Sequence, residues 1–254
     1  MSRVGEVKYN NFGSKMIIIK DNGYYDVDIY FEDYNWVYKK GRYDTFRNGQ
    51  VKCPYEPRLY NIGYIGEGKY QTKENGKHTK CYITWSRMLE RCYSEKYRQK
   101  HETYEYAETI KEWHNFQNFA KWFDDNYYEV EGQRMELDKD ILYKGNKIYS
   151  PNTCVFVPQI INILFIKSNK SRGKYPIGVY WHERDNGFRS QCNIVVNGKN
   201  KRKYLGLFHT SAEAFQCYKQ FKEKYIKKIA DEYKNIIPIK LYEAMYKYEV
   251  EIND

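Results

Sequence analysis

Three short runs rich in β-formers, then one long capped helix, lie between Arg172 and Asn235, and this pattern leaves that part of the chain few folds to choose from. The runs are YPIGVYW, FRSQCNIVV and KYLGLF. They are broken by Arg184-Asp185-Asn186-Gly187 and Asn197-Gly198-Lys199-Asn200, and Asn-Gly is a strong short hairpin signal. The helix starts after Thr210-Ser211 with Glu213 in its first turn, and carries Ala214, Phe215, Tyr218, Phe221, Tyr225 and Ile229 at helical spacing. That stripe should cover one face of a three-stranded sheet. The opposite face would keep Arg184, Arg189, Gln191, Asn193, Lys201, Arg202 and Lys203, with Arg172 and Lys174 at its edge. Cations and amides of this kind suit phosphates and base edges, so the expected partner is double-stranded DNA. A small α+β domain with a solvated basic face is the alternative.

The segment resembles the ethylene-response-factor (APETALA two) type of DNA-binding domain. The marks are RG-x(4)-GV from Arg172 to Val179, the strand-two aromatic Phe188, and LGLFHTSAEAFQCY from Leu205 to Tyr218. Phe188 stands where that family usually carries Trp. The resemblance covers about a quarter of the chain.

Charge agrees with a polyanionic partner. The chain of 254 residues has a formal net charge of +10, and from Ile163 onward 18 Lys and Arg face 10 Asp and Glu, so +8 of it lies there. Such a concentration attracts nucleic acid and makes binding salt-dependent. No apolar run reaches the length of a membrane span and the N-terminus is no signal peptide, so the expectation is an intracellular protein without a membrane partner or small-molecule cofactor, in host-cell cytoplasm if phage-encoded. Cys53, Cys81, Cys92, Cys154, Cys192 and Cys217 form no C-x-x-C pair and read as reduced, mostly buried thiols.

The first sixty residues alternate like strands around Asn-Gly turns and suggest a curled sheet or small barrel. They resemble a short module of phage nucleases, where the role implied is auxiliary DNA contact; a structural cap or protein-interaction module is the alternative. Pro54, Pro57, Gly63, Gly66, Gly68 and Gly76 mark a connector. Beyond it, Trp85, Met88, Leu89 and Cys92 form one helical stripe, and Ile110, Trp113, Phe116, Phe119, Ala120 and Phe123 another. Both read as core, with His114 a partly exposed helix residue rather than a ligand.

These helices and ELDKDILYKGNKIYSPNTC, from Glu136 to Cys154, resemble a phage family related to the HNH endonucleases. Its pattern is W-x-x-M-x-x-RCY, W-x-x-F-x-x-F, then LDRID-x(2)-G-x-YSPENC-x-W. The matching residues are Trp85, Met88, Arg91, Cys92, Tyr93, Trp113, Phe116, Phe119, Leu137, Asp138, Gly145, Tyr149, Ser150, Pro151 and Cys154. The resemblance implies a ββα site in which Asp138 and Asn162 hold Mg²⁺ or Mn²⁺. Asp138, Lys139, Asp140 and Asn162 are then the catalytic candidates. Lys139 stands where the family's general-base His belongs, and a protonated amine is a poor base. Thr153 takes the place of the hairpin Asn, with Asn146 and Asn152 nearby.

The expected fold class is α+β: a β-rich module at 1–60, an HNH-like ββα centre with flanking helices at 78–166, a three-stranded sheet plus helix at 171–236, and a tail at 237–254 packed elsewhere. A fragment ending near Phe165 should then fold alone. The implied function is a DNA-binding, HNH-like metal-dependent endonuclease of the phage homing type. A catalytically inactive DNA-binding or inhibitor protein on the same fold is the alternative.

Overall fold

A computed structural model describes residues 2–166, 173–196, 199–252 and 254. The fold is α+β, as the alternation of strand-like and helix-like segments predicts. The chain divides into two compact units, 1–125 with 147–150, and 126–146 with 151–254.

The first unit opens with an antiparallel sheet in sequential order: β1 (Val7–Tyr9), β2 (Lys15–Asp21), β3 (Val27–Phe31) and β4 (Trp36–Gly41), followed by the short helix α1 (Tyr43–Arg47). Met16, Ile18, Val27, Ile29 and Phe31 bury one face against Phe46, Val51 and Cys53. A two-strand ribbon, β5 (Lys73–Glu74) with β6 (Lys77–His78), leads into α2 (Lys80–Tyr93), whose N-cap Thr79 accepts from the backbone N–H of Tyr82. Then come α3 (Glu95–Lys100), β7 (Glu108–Thr109) and α4 (Phe116–Asn126). Trp113 and His114 sit in a separate 3-10 turn, Lys111–His114, because the chain is extended at Ile110 and Asn115 on either side. The stripes of α2 and α4 are core: Trp85, Met88, Leu89, Cys92, Trp113, Phe116 and Phe119 are all buried.

The connector around Gly63 is packed structure. Tyr64 donates its N–H to the His114 carbonyl and its own carbonyl accepts from Phe116, at 2.9 Å each. The residues between the N-terminal sheet and the helices therefore belong to one body.

The second unit holds β8 (Met135–Asp138), which pairs antiparallel with β10 (Val155–Pro158), followed at once by α5 (Gln159–Asn162). Strand β9 (Ile148–Tyr149), which falls between them in sequence, belongs to the first unit, where it pairs parallel with β7. The sheet that follows is β11 (Val179–His182), β12 (Gly187–Val196) and β13 (Lys199–Phe208), antiparallel with β12 central. The Asn197-Gly198 turn and Arg172 lie outside the described residues. Helix α6 (Ser211–Tyr233) begins with a full capping box: the Thr210 hydroxyl accepts from Glu213 N–H and the Glu213 carboxylate accepts from Thr210 N–H, each at 3.2 Å. The last helix is α7 (Ile239–Lys247).

The boundaries fall differently from those expected. The first half of α6 covers the sheet through Ala214, Phe215 and Tyr218. Its second half, Ile226, Ile229 and Ala230, shares a core with Val155 and Val157 of the hairpin, Ile161 of α5, and Leu241 and Met245 of α7. The long helix thus joins the ββα centre, the sheet and the tail in one unit. A cut near Phe165 would remove Ile226, Ile229, Ala230, Leu241 and Met245 from this core, which counts against the expectation that such a fragment folds alone.

Candidate functional site

Cross-strand pairing decides which side chains share a face of the C-terminal sheet, because direct partners point the same way. Val179, Phe188 and Cys192 belong with the α6 core. Cys192 pairs with Lys203 and Ile194 with Lys201, so both lysines lie on the helix side of the sheet. Lys203 Nζ sits 4.9 Å from the centre of the Phe221 ring on α6. The expectation that Lys201 and Lys203 occupy the open face is therefore corrected. An irregularity in the ladder next to Ser190/Gln191 shifts the parity of β13, and nothing in its sequence announces that shift.

The open face carries Tyr180 opposite Arg189, Arg189 opposite Leu207, Gln191 opposite Tyr204, and Asn193 opposite Arg202. None of the three strands contains an acidic residue. Asn193, Arg202 and Tyr204 are exposed, and Arg202 has no hydrogen bond or ion pair among the described residues. Arg189 is differently placed. Its Nε donates to Asp185 at 2.9 Å and its Nη2 reaches the same oxygen, so part of the guanidinium is spent within the protein. The Arg189 guanidinium holds the Asp185 carboxyl below its usual range. Arg189 also lies 5.7 Å from the Tyr204 ring centre, which fixes it over the middle of the face. Arg184 projects from the turn with its side chain 84% exposed. Lys174 precedes the sheet and is exposed beside the Tyr175 ring.

The sheet depends on one close approach. Gly178, the glycine of the GV pair, has φ +77, and a methyl group there would overlap the Tyr218 ring. Only glycine satisfies both conditions.

In the ββα centre, Asp138 ends β8 and pairs with Val155, and α5 follows β10 directly, so the expected topology is present. The Asp138 Oδ1 accepts from the N–H groups of Asp140 at 2.8 Å and Ile141 at 2.7 Å, closing the chain into a turn. Burial pushes the Asp138 carboxyl up to about 6, Asp140's charge adds to this, and the two N–H donors offset part of it. Lys139 is buried. Its Nζ donates to Asp140 at 3.2 Å and to the Asn146 carbonyl at 3.0 Å, while Asn146 Nδ2 returns a bond to the Lys139 carbonyl at 2.7 Å. Lys139 is thus a structural clasp for the 139–146 loop. Asn162 closes α5 and is half-buried. Among the described residues, no cluster of three or more His, Cys, Asp or Glu has the geometry of a metal site.

The other motif residues have packing roles that the pattern did not disclose. Trp85 Nε1 donates to the Trp113 carbonyl at 2.7 Å. Arg91 bonds the buried Tyr149 hydroxyl, which tethers 147–150 to α2. Tyr93 lies 3.2 Å from His114 Nε2, and burial holds that imidazole below its ordinary value. None of the six cysteines forms a disulfide, and four of them are buried.

The fold and this pair of features define an α+β protein with an amide- and cation-bearing sheet and a ββα hairpin unit. No family model, no curated protein and no solved structure matches the chain. Among the described residues, no helix is long and apolar enough to cross a membrane.

Proposed function

We propose that this chain binds double-stranded DNA through the open face of β11–β13, with the ββα centre serving as a non-hydrolytic platform. The observation that carries the reading is the adjacency of the Gln191–Tyr204 and Asn193–Arg202 pairs on strands that contain no acidic residue, with Asp185 of the turn held by Arg189. Amides and an arginine are the side chains that reach adenine and guanine edges bidentately, and a β-ribbon fits the major groove. Arg184 and Lys174 at the rim supply phosphate contacts. Titrating a labelled duplex with wild type and with Asn193→Ala/Arg202→Ala tests it; unchanged affinity would remove the sheet from DNA recognition.

The platform reading rests on Lys139. Its buried Nζ is engaged as a donor to Asp140 and the Asn146 carbonyl, so it is turned into the loop rather than presented to an attacking water.

One observation favours a second reading, an HNH-like endonuclease requiring Mg²⁺ or Mn²⁺. The charge of Asp140 bears on Asp138, and a divalent cation would relieve that repulsion. Asp138 and Asp140, with Asn162, would hold the ion, which when bound supplies an acidified water. Lys139 competes with it for Asp140. Nicking of supercoiled plasmid that needs Mg²⁺ or Mn²⁺, stops with EDTA and is lost in Asp138→Ala would establish this second reading over the first.

A further inference from the structure

We propose that the N-terminal module carries a separate nucleic-acid contact, selective for unpaired nucleotides, centred on Phe12 with Arg58 and Lys52. It goes beyond the proposed function and does not rest on it, since it concerns another module and another form of nucleic acid.

The patch is built from the inside. Asn10 is buried, and its Oδ1 accepts from the N–H groups of Phe12 at 3.0 Å and Ser14 at 2.9 Å, which shapes the loop. Its Nδ2 donates to the Val51 carbonyl at 3.1 Å and to the Glu56 carboxylate. Glu56 is only 2% exposed, and its other oxygen accepts from Arg58 Nη2 at 2.7 Å and Cys53 N–H at 3.3 Å. One buried carboxylate therefore fixes both the loop that bears Phe12 and the guanidinium that faces its ring.

The outward result is a pre-organised ring and cation pair. Arg58 lies 4.5 Å from the centre of the Phe12 ring and Lys52 Nζ lies 6.0 Å from it. Phe12 is nevertheless 53% exposed, and Tyr9, just before the loop, is 65% exposed. The only carboxylate in the clasp is buried, so it does not confront an incoming phosphate. An exposed ring flanked by Arg58, which Glu56 holds in place, and by the exposed Lys52 offers what base stacking with backbone neutralisation uses. A base within a duplex already has both faces stacked, so the occupant is a single strand or an extruded nucleotide.

The test uses the full chain with labelled oligothymidine and, separately, a labelled duplex, both read by fluorescence anisotropy. Phe12→Ala should weaken oligothymidine binding about tenfold while duplex affinity stays within about twofold. Phe12→Trp should restore or tighten it, and Lys52→Ala should weaken it and flatten its salt dependence. Thermal melts of each variant check folding, which an exposed ring should not disturb. The proposal is overturned if wild type ignores oligothymidine, if Phe12→Ala binds it as wild type does, if both nucleic acids are lost by one factor, or if polyglutamate competes as well as unlabelled oligothymidine. Failure of duplex binding alone would touch only the proposed function.

Discussion

Lys203 Nζ stands 4.9 Å from the centre of the Phe221 ring, and this contact across the sheet–helix interface separates two neighbouring cations that look alike in sequence. Arg202, one residue earlier, points to the open face opposite Asn193. Arg202→Ala should therefore weaken duplex binding by about 1–3 kcal/mol if it reads a base, measured by anisotropy titration. Lys203→Ala should cost markedly less binding but lower stability, because its stem and charge rest on Phe221. Equal binding losses from the two substitutions would contradict the assignment of faces.

Removal of residues beyond Phe165 should leave the remaining chain unable to form its hairpin unit. Val155, Val157 and Ile161 would lose Ile226, Ile229, Leu241 and Met245 as partners. Burial of side chains of this size contributes about 1.5–3 kcal/mol each, a large share of a domain's net stability. Limited proteolysis of the fragment should cut within 126–146 and 151–165 while sparing 1–125. A protease-resistant hairpin in that fragment would show the shared core to be dispensable.

The sheet and α6 were legible because their signals are local: Asn186 and Gly187 in a turn, Thr210 and Glu213 in a capping box, apolar residues every three or four positions. The β13 shift next to Gly206 was not legible, because it arises from pairing with another strand. Nor was the joint core, since Ile226, Ile229 and Ala230 continue the same stripe that covers the sheet and nothing marks where one partner gives way to another. At the ββα centre the strand–strand–helix order around Asp138 was expected from the resemblance, whereas its pairing with Val155 was not. The commitment of Lys139 to the Asn146 carbonyl depends on how the 139–146 loop closes, which spacing does not encode.

Lys222 offers a test of burial on α6. It is 8% exposed among Leu164, Ile177, Tyr218, Tyr248 and Val250, and burial lowers its pKa from 10.5, with the Cys192 thiol opposing. A depressed lysine is carried as a cost at low pH, and stability rises as pH climbs through the window below 10.5. Lys222→Met should stabilise the protein on the order of 1 kcal/mol at neutral pH, with the gain shrinking toward pH 10. Denaturant titrations at two pH values measure this, and a destabilised Met variant would contradict it.

Asp138 should behave in the opposite sense. Its folded pKa is raised from 3.8 to about 6, so the native state holds a proton that the unfolded chain has already released. Its contribution to stability is present below that window and is lost as pH rises through it. Asp138→Asn keeps an oxygen for the N–H groups of Asp140 and Ile141 and removes the charge. The variant should gain on the order of 1–2 kcal/mol over wild type at pH 7.5 and little at pH 4. A gap independent of pH would mean that Asp138 is not held against ionisation.

The most direct measurement of the central claim is duplex affinity as a function of salt, for wild type and for Asn193→Ala/Arg202→Ala. Wild type should show log Kd rising linearly with log salt concentration, with a slope of several units if Arg202 and its neighbours displace counterions. The double variant should bind at least about tenfold more weakly at a given salt and show a shallower slope. Duplex binding with the same affinity and the same slope in both proteins would contradict recognition through the open face of β11–β13.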